Sequence, residues 1–97
     1  MLRITPQPAG TDYVLKLEGA LIGPWVSEVA ITWIDIATAQ PGRRVLVDLT
    51  DVNRVDQRGR ELMALMYCAG VRFVAQGFVM PEIVREISER VDGGRRS

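Results

Sequence analysis

The chain contains no histidine and a single cysteine, Cys68. Histidine is the usual general base, the commonest metal ligand and the usual switch near neutral pH, so each of these roles lacks its ordinary residue. One cysteine without histidine cannot assemble a histidine-based triad or dyad, an ordinary zinc site or an internal disulfide. We therefore expect a protein without catalytic activity, metal or cofactor, in a reducing compartment such as the cytoplasm.

Signals for export, membrane insertion and nucleic-acid binding are also missing. The amino terminus lacks the charged start and apolar run of a signal peptide. The longest apolar stretch is broken by Glu28, Thr32 and Asp35, whereas a bilayer span needs about 20 apolar residues. Twelve basic residues balance twelve acidic ones, and a nucleic-acid binder normally has a basic excess. We expect a soluble cytoplasmic protein that neither enters a membrane nor binds nucleic acid.

The 97 residues suffice for one domain, which we place at residues 1–92, followed by a flexible tail at 93–97. Hydrophobic periodicity predicts strands at 2–5, 13–18, 44–49 and 71–75, and helices at 25–39, 57–69 and from 81 to about 91. Residues 50–55 are predicted to form a loop. The order β-β-α-β-α-β-α favours an α/β fold with a mixed, mostly parallel sheet of about four strands and three helices.

The same periodicity predicts which side chains form the core. The predicted inner faces are Val26, Val29, Ala30, Trp33 and Ala37 on the first helix, Leu62, Leu65, Met66 and Ala69 on the second, and Ile83, Val84, Ile87 and Val91 on the third. The third strand is nearly continuously apolar, which is typical of a central parallel strand buried on both faces.

Two segments carry a resemblance to a known family. Residues 17–21 read Leu-Glu-Gly-Ala-Leu before a helix, and residues 45–59 form an apolar strand, then Asp-Leu-Thr and a turn into the next helix. With Gly70 and Pro81 in matching positions, these segments resemble the STAS domains of sulphate transporters and anti-sigma factor antagonists. The resemblance covers nearly the whole chain, and it implies a STAS-like fold that binds other proteins.

The phosphorylation site of that family is altered in this sequence. In the anti-sigma factor antagonists that the chain resembles, a partner kinase phosphorylates a serine at the turn into the second helix. Gln57 and Arg58 occupy the two serine positions here, so the resemblance implies no phosphoregulation at this turn. Thr50 is the nearby hydroxyl. It is either an alternative phosphoacceptor or, as we favour, a side chain that caps its own loop.

The turn itself supplies the candidate site. Asp56 is a favourable N-cap for the second helix. We predict a partner-binding surface formed by Arg54, Asp56, Gln57, Arg58, Arg60, Met63 and Tyr67. The three arginines either dock an acidic partner or form a solvated helix end. Met63 and Tyr67, with Ile31 of the first helix, are either scattered exposed side chains or a patch for a partner or a second copy.

Three functions stay open at this point. The first is a non-catalytic interaction module, a regulatory or scaffold domain in bacterial signalling, whose partner is an anti-sigma or kinase-like protein. The second is a cytoplasmic accessory subunit of a lipid or solute ABC transporter, bound to its ATPase. The third is a domain that binds a small ligand or nucleotide, as the resemblance permits. The sequence has no glycine-rich phosphate loop to favour this last function.

Overall fold

The computed structural model describes residues 1–75 and 79–95. Over these residues the strands are β1 (Leu2–Ala9), β2 (Asp12–Leu21), β3 (Arg44–Val55) and β4 (Arg72–Val74), and the helices are α1 (Pro24–Ala39), α2 (Gln57–Cys68) and α3 (Val79–Arg95). The predicted order is confirmed. The third helix is longer than predicted, because it extends to Arg95, within the segment assigned to a tail. Arg96 and Ser97 lie outside the described residues.

The strands form one sheet in the order β1-β2-β3-β4. β1 pairs with β2 in the antiparallel sense, whereas β2 with β3 and β3 with β4 are parallel. Both parallel connections move in the same direction across the sheet, so right-handed crossovers place α1 and α2 on the same face. α3 packs against α2 and β3. The predicted fold class, a mixed and mostly parallel sheet with three helices, is confirmed.

The helices bury one face of the sheet. On this face Leu15, Leu17 and Leu49 are at most 1% exposed. The residues that alternate with them, such as Lys16 and Asp48, stay partly exposed on the other face. The prediction that β3 is buried on both faces is therefore wrong, because the described helices cover only one side of it.

β3 continues through residues 50–55, so the predicted loop is wrong. Lys16 pairs with Asp48 and Glu18 with Asp51, which leaves one extra residue in β3, and a second register shift follows closer to the end of the strand. Such bulges break the two-residue alternation of a strand, and the polar sequence here then resembles a loop. The extended pairing brings the ends of β2 and β3 together where α1 and α2 begin.

β1 is an edge strand and is also longer than predicted. It runs through Pro6 and Pro8, which pair with Leu15 and Tyr13 of β2. A proline has no N–H group, but an edge strand accepts it where that position points away from the neighbouring strand. β1 therefore continues through both prolines to Ala9, beyond its predicted end at Thr5.

The inner face of α2 is rotated relative to its prediction, whereas α1 and α3 direct most of their predicted residues towards the core. In α1 the buried residues are Val29 and Ile36, while the predicted Ala37 is exposed. In α2 they are Gly59, Leu62, Met63 and Met66. Leu65 and Ala69 were predicted to face inward, but they are exposed. In α3 the predicted Ile83 and Ile87 are buried. No helix in the described part of the chain is long and apolar enough to cross a membrane.

Candidate functional site

The junction between β3 and α2 is fixed by both carboxylate oxygens of Asp56. Oδ1 accepts a hydrogen bond from the backbone N–H of Gly59 at 2.8 Å, and Oδ2 accepts one from Gly23 at 2.9 Å. The backbone N–H of Asp56 donates to the carbonyl of Leu21 at 3.2 Å. The predicted N-cap is confirmed. One side chain thus joins the start of α2 to the turn that precedes α1.

These contacts favour the ionised form of Asp56. The hydrogen bond from Gly23 and then the one from Gly59 hold the pKa of this carboxyl below its usual value of 3.8, and the positive charge of Arg58 acts in the same direction. Desolvation of the half-buried side chain opposes the shift. Asp56 therefore carries its negative charge at the N-terminus of α2, where the helix dipole also stabilises it.

Gly59 allows α2 to approach the end of β2 closely. A Cβ atom at this position would lie 2.6 Å from the carbonyl oxygen of Leu21 and 2.7 Å from Cγ1 of Val55. Both distances are shorter than real Cβ contacts allow. The first turn of α2 is therefore held by a close backbone contact as well as by its cap.

The three arginines of the predicted surface have different neighbours in the fold. Arg54 is exposed at the end of β3, where it pairs with Ala20 of β2. Arg58 is exposed beside a groove between α1 and α2. Arg60 lies on the opposite flank of α2, where its guanidinium is 3.1 Å from a carboxylate oxygen of Glu86 in α3. Arg60 is thus already paired with a carboxylate of α3, whereas Arg58 borders the groove between α1 and α2.

Met63 and Tyr67 do not form the predicted outer patch. Met63 is 1% exposed and belongs to the core, so its predicted surface position is wrong. Tyr67 is half-buried, and its hydroxyl donates to a carboxylate oxygen of Asp92 at 3.1 Å. The side of α2 that carries Tyr67 faces α3, whereas Ile31 lies on the outside of α1.

A different set of side chains forms an exposed apolar surface. Ile31 and Ile34 of α1 are each 56% exposed, and Leu65 of α2 is 64% exposed. Between the helices is a groove of about 280 Å³, lined by Val26, Ser27, Ala30, Arg58, Glu61, Leu62 and Leu65. We call Ile31, Ile34, Arg58 and Leu65 the α1–α2 face. Of these four residues, the sequence predicts a surface position only for Ile31 and Arg58.

The remaining predicted residues are exposed, but they do not belong to the α1–α2 face. Gln57 is exposed at the first position of α2. Thr50 is exposed within β3, and its backbone N–H donates to Oδ1 of Asp48 at 3.0 Å. Cys68 is exposed and has a free thiol. In residues 1–75 and 79–95, no three acidic or cysteine side chains are grouped so that they could hold a metal ion.

No protein family matches this sequence, and no curated protein does so. Solved structures do resemble the fold. A crystal structure of Mglu matches with 25% identity and a TM-score of 0.60, and the match covers 78% of this chain. A crystal structure of Mglu in its native form gives 22% identity, a TM-score of 0.54 and 73% coverage of this chain. This chain spans about a fifth of the length of the Mglu chains, 20% and 22% respectively.

A third structure matches nearly the whole of this chain and about three quarters of its own length. It is an uncharacterised protein of the DUF3478 family from Shewanella loihica PV-4, described as having a SpoIIAA-like fold. The identity is 17% and the TM-score is 0.51, with coverage of 96% of this chain and 77% of that one. The fold of the present chain is therefore STAS-like, as the sequence resemblance implied.

Proposed function

We propose that this STAS-like domain is a non-catalytic protein-interaction module that acts as a regulatory or scaffold domain in the bacterial cytoplasm. The observation that carries the proposal is the α1–α2 face, where exposed apolar side chains of two adjacent helices adjoin the exposed Arg58. Contiguous apolar surface on a soluble domain marks an interaction site, and arginine is a frequent anchor in such sites.

The geometry of the junction favours binding by a preformed surface. Asp56 ties the first turn of α2 to the turn before α1 through two charge-assisted hydrogen bonds. Arg58 follows two residues later, and Leu65 lies two turns further along the same flank of α2. A partner that contacts both helices would therefore meet side chains on a fixed framework, which lowers the entropy cost of binding.

The absence of a hydroxyl at residues 57 and 58 bears on how this module is regulated. Phosphorylation of a serine at this turn would add negative charge beside the N-terminus of α2. Gln57 and Arg58 cannot accept a phosphoryl group in this way, and Arg58 contributes the opposite charge. The module that we propose is therefore not switched by phosphorylation at this turn, unlike the phosphorylated antagonists that the sequence resembles.

A pull-down from a lysate of the native cells tests the docking site. The baits are the wild-type chain, Arg58→Glu and Leu65→Glu, with Arg72→Glu as the matched control, because Arg72 is an exposed arginine on β4. We expect the wild type and the control to retain the same partner, identified by mass spectrometry. Each variant of the α1–α2 face should retain about tenfold less of it, since both would place a carboxylate in the contact.

The identity of the partner decides between the two protein-binding functions. An anti-sigma or kinase-like protein would support the signalling role, and a transporter ATPase would replace it with the accessory-subunit role. Equal recovery with all four baits would refute the α1–α2 face as the docking site. Binding of the purified partner, followed by calorimetry with the same variants, provides the quantitative measurement.

A further inference from the structure

The charges around the α1–α2 face are arranged asymmetrically. α1 contains two acidic residues, Glu28 and Asp35, and no basic residue. They are seven residues apart, so they share one side of the helix, and both are exposed. This side lies beyond Ile31, away from the groove that α1 forms with α2. Arg58 lies on the other side of the groove. The face thus passes from a positive end, across apolar side chains, to a negative end.

We propose that the α1–α2 face binds a second copy of this chain. The inference rests on the proposed function, because it names a partner for the same surface. In a two-fold dimer the same patch occurs on both subunits and must be complementary to itself. A two-fold axis that runs along the helices, between Ile34 and Leu65, would bring the Arg58 end of each copy against the acidic end of α1 in the other. The exposed isoleucine and leucine side chains then meet at the centre.

The charge pattern favours this occupant over an unrelated helix. None of Glu28, Asp35 and Arg58 forms an ion pair with another described residue, although Arg58 interacts electrostatically with Asp56, so the three side chains can form contacts between subunits. Glu61 also lines the groove, one turn after Arg58, and offsets part of its charge. The central apolar patch is small. We therefore expect a weak dimer, with a dissociation constant on the order of tens of micromolar.

Self-association and binding of a different partner would then compete for one surface. A partner that contacts Arg58 and Leu65 would bind only the monomer. Its apparent affinity would fall as the concentration of the chain rises, because a growing fraction of the chain is dimeric.

Sedimentation equilibrium of the purified chain, from about 1 µM to about 500 µM, tests the inference without any other protein. The wild type should change from monomer to dimer across this range. Arg58→Glu alone, and Glu28→Arg with Asp35→Arg together, should each weaken the dimer by about tenfold or more, because each brings like charges together. An equimolar mixture of these two proteins should recover the dimer, since every pair of opposed charges is then restored. Val74→Glu, at an apolar residue of β4 that is 39% exposed, should leave the dimer unchanged.

A wild type that remains monomeric throughout would overturn the inference, as would a mixture that fails to recover the dimer. Circular dichroism and thermal melting establish that each variant is folded. The pull-down separates the two proposals. If the chain is monomeric but its partner is still lost with Leu65→Glu, the face binds another protein and the proposed function stands. If the chain dimerises and no bait retains a different protein, the face binds a second copy and the proposed function fails.

Discussion

Gly59→Ala is expected to lower the free energy of unfolding by about 2 kcal/mol, which corresponds to a melting temperature roughly 10 °C lower. The added methyl group would lie 2.6 Å from the carbonyl oxygen of Leu21 and 2.7 Å from Cγ1 of Val55. The first contact is with backbone, and the second is with a β-branched side chain that has little rotameric freedom. Relief of these contacts requires α2 to move away from the ends of β2 and β3. Chemical denaturation gives the free energy directly.

The sign of this effect is informative, because helix propensity predicts the opposite. Alanine in place of glycine within a helix normally stabilises by about 1 kcal/mol. Gly93 in α3 provides the matched control, because a Cβ atom there would have no neighbour within 4 Å and its backbone is not in the left-handed region. We expect Gly93→Ala to raise the free energy of unfolding by about 0.5–1 kcal/mol. Stabilisation by both substitutions would contradict this prediction, because it would show that α2 can move away from Leu21 at little cost in free energy.

Asp56→Asn is expected to lower the melting temperature at pH 7 by roughly 5 °C, and this difference should shrink in acid. An asparagine oxygen still accepts from one backbone N–H, but its NH₂ group cannot accept from the other, so the contact to Gly59 or to Gly23 is lost. The pKa of Asp56 is lower in the folded protein than its usual 3.8. The stability that its charge contributes is therefore complete above about pH 4 and is lost as the pH falls through the lower pKa of the folded state.

Thermal melts of the two proteins between pH 7 and pH 2 measure this difference. Glu89→Gln is the control, because the carboxylate of Glu89 is exposed on α3 and forms no hydrogen bond or ion pair within the described residues. It should melt close to the wild type at every pH. A difference between wild type and Asp56→Asn that stayed constant down to pH 2 would argue that the charge of Asp56 has no special role.

The order of the elements could be predicted because it depends on local patterns. Strands that alternate with helices, Pro24 at the start of α1 and Asp56 before α2 are signals within a few residues of where they act. β3 exceeded its predicted length because its two bulges break the alternation on which the prediction depended.

Local sequence patterns could not predict which side of α2 faces the core. A helical wheel weights residues by hydrophobicity, so it directed Leu65 inward and gave Gly59 no weight. In the structure Gly59 lies against Leu21, and Met63, one turn later, enters the core with it. The contact is between residues 38 positions apart in the sequence, and no local pattern reports it. The same applies to the hydrogen bond from Gly23 to Asp56, which spans 33 positions.

The prolines of β1 also limit how copies of the domain can associate. An edge strand normally offers its free N–H and C=O groups to a strand from another molecule, and added strands of this kind can propagate into aggregates. Because Pro6 and Pro8 lie two residues apart, their nitrogens share the outer side of β1, where neither can donate. An incoming strand would lose two successive hydrogen bonds along this half of the edge. Crowded copies of this protein are thereby hindered from extending their sheets through β1, which protects the domain against fibre-like polymerisation along that edge.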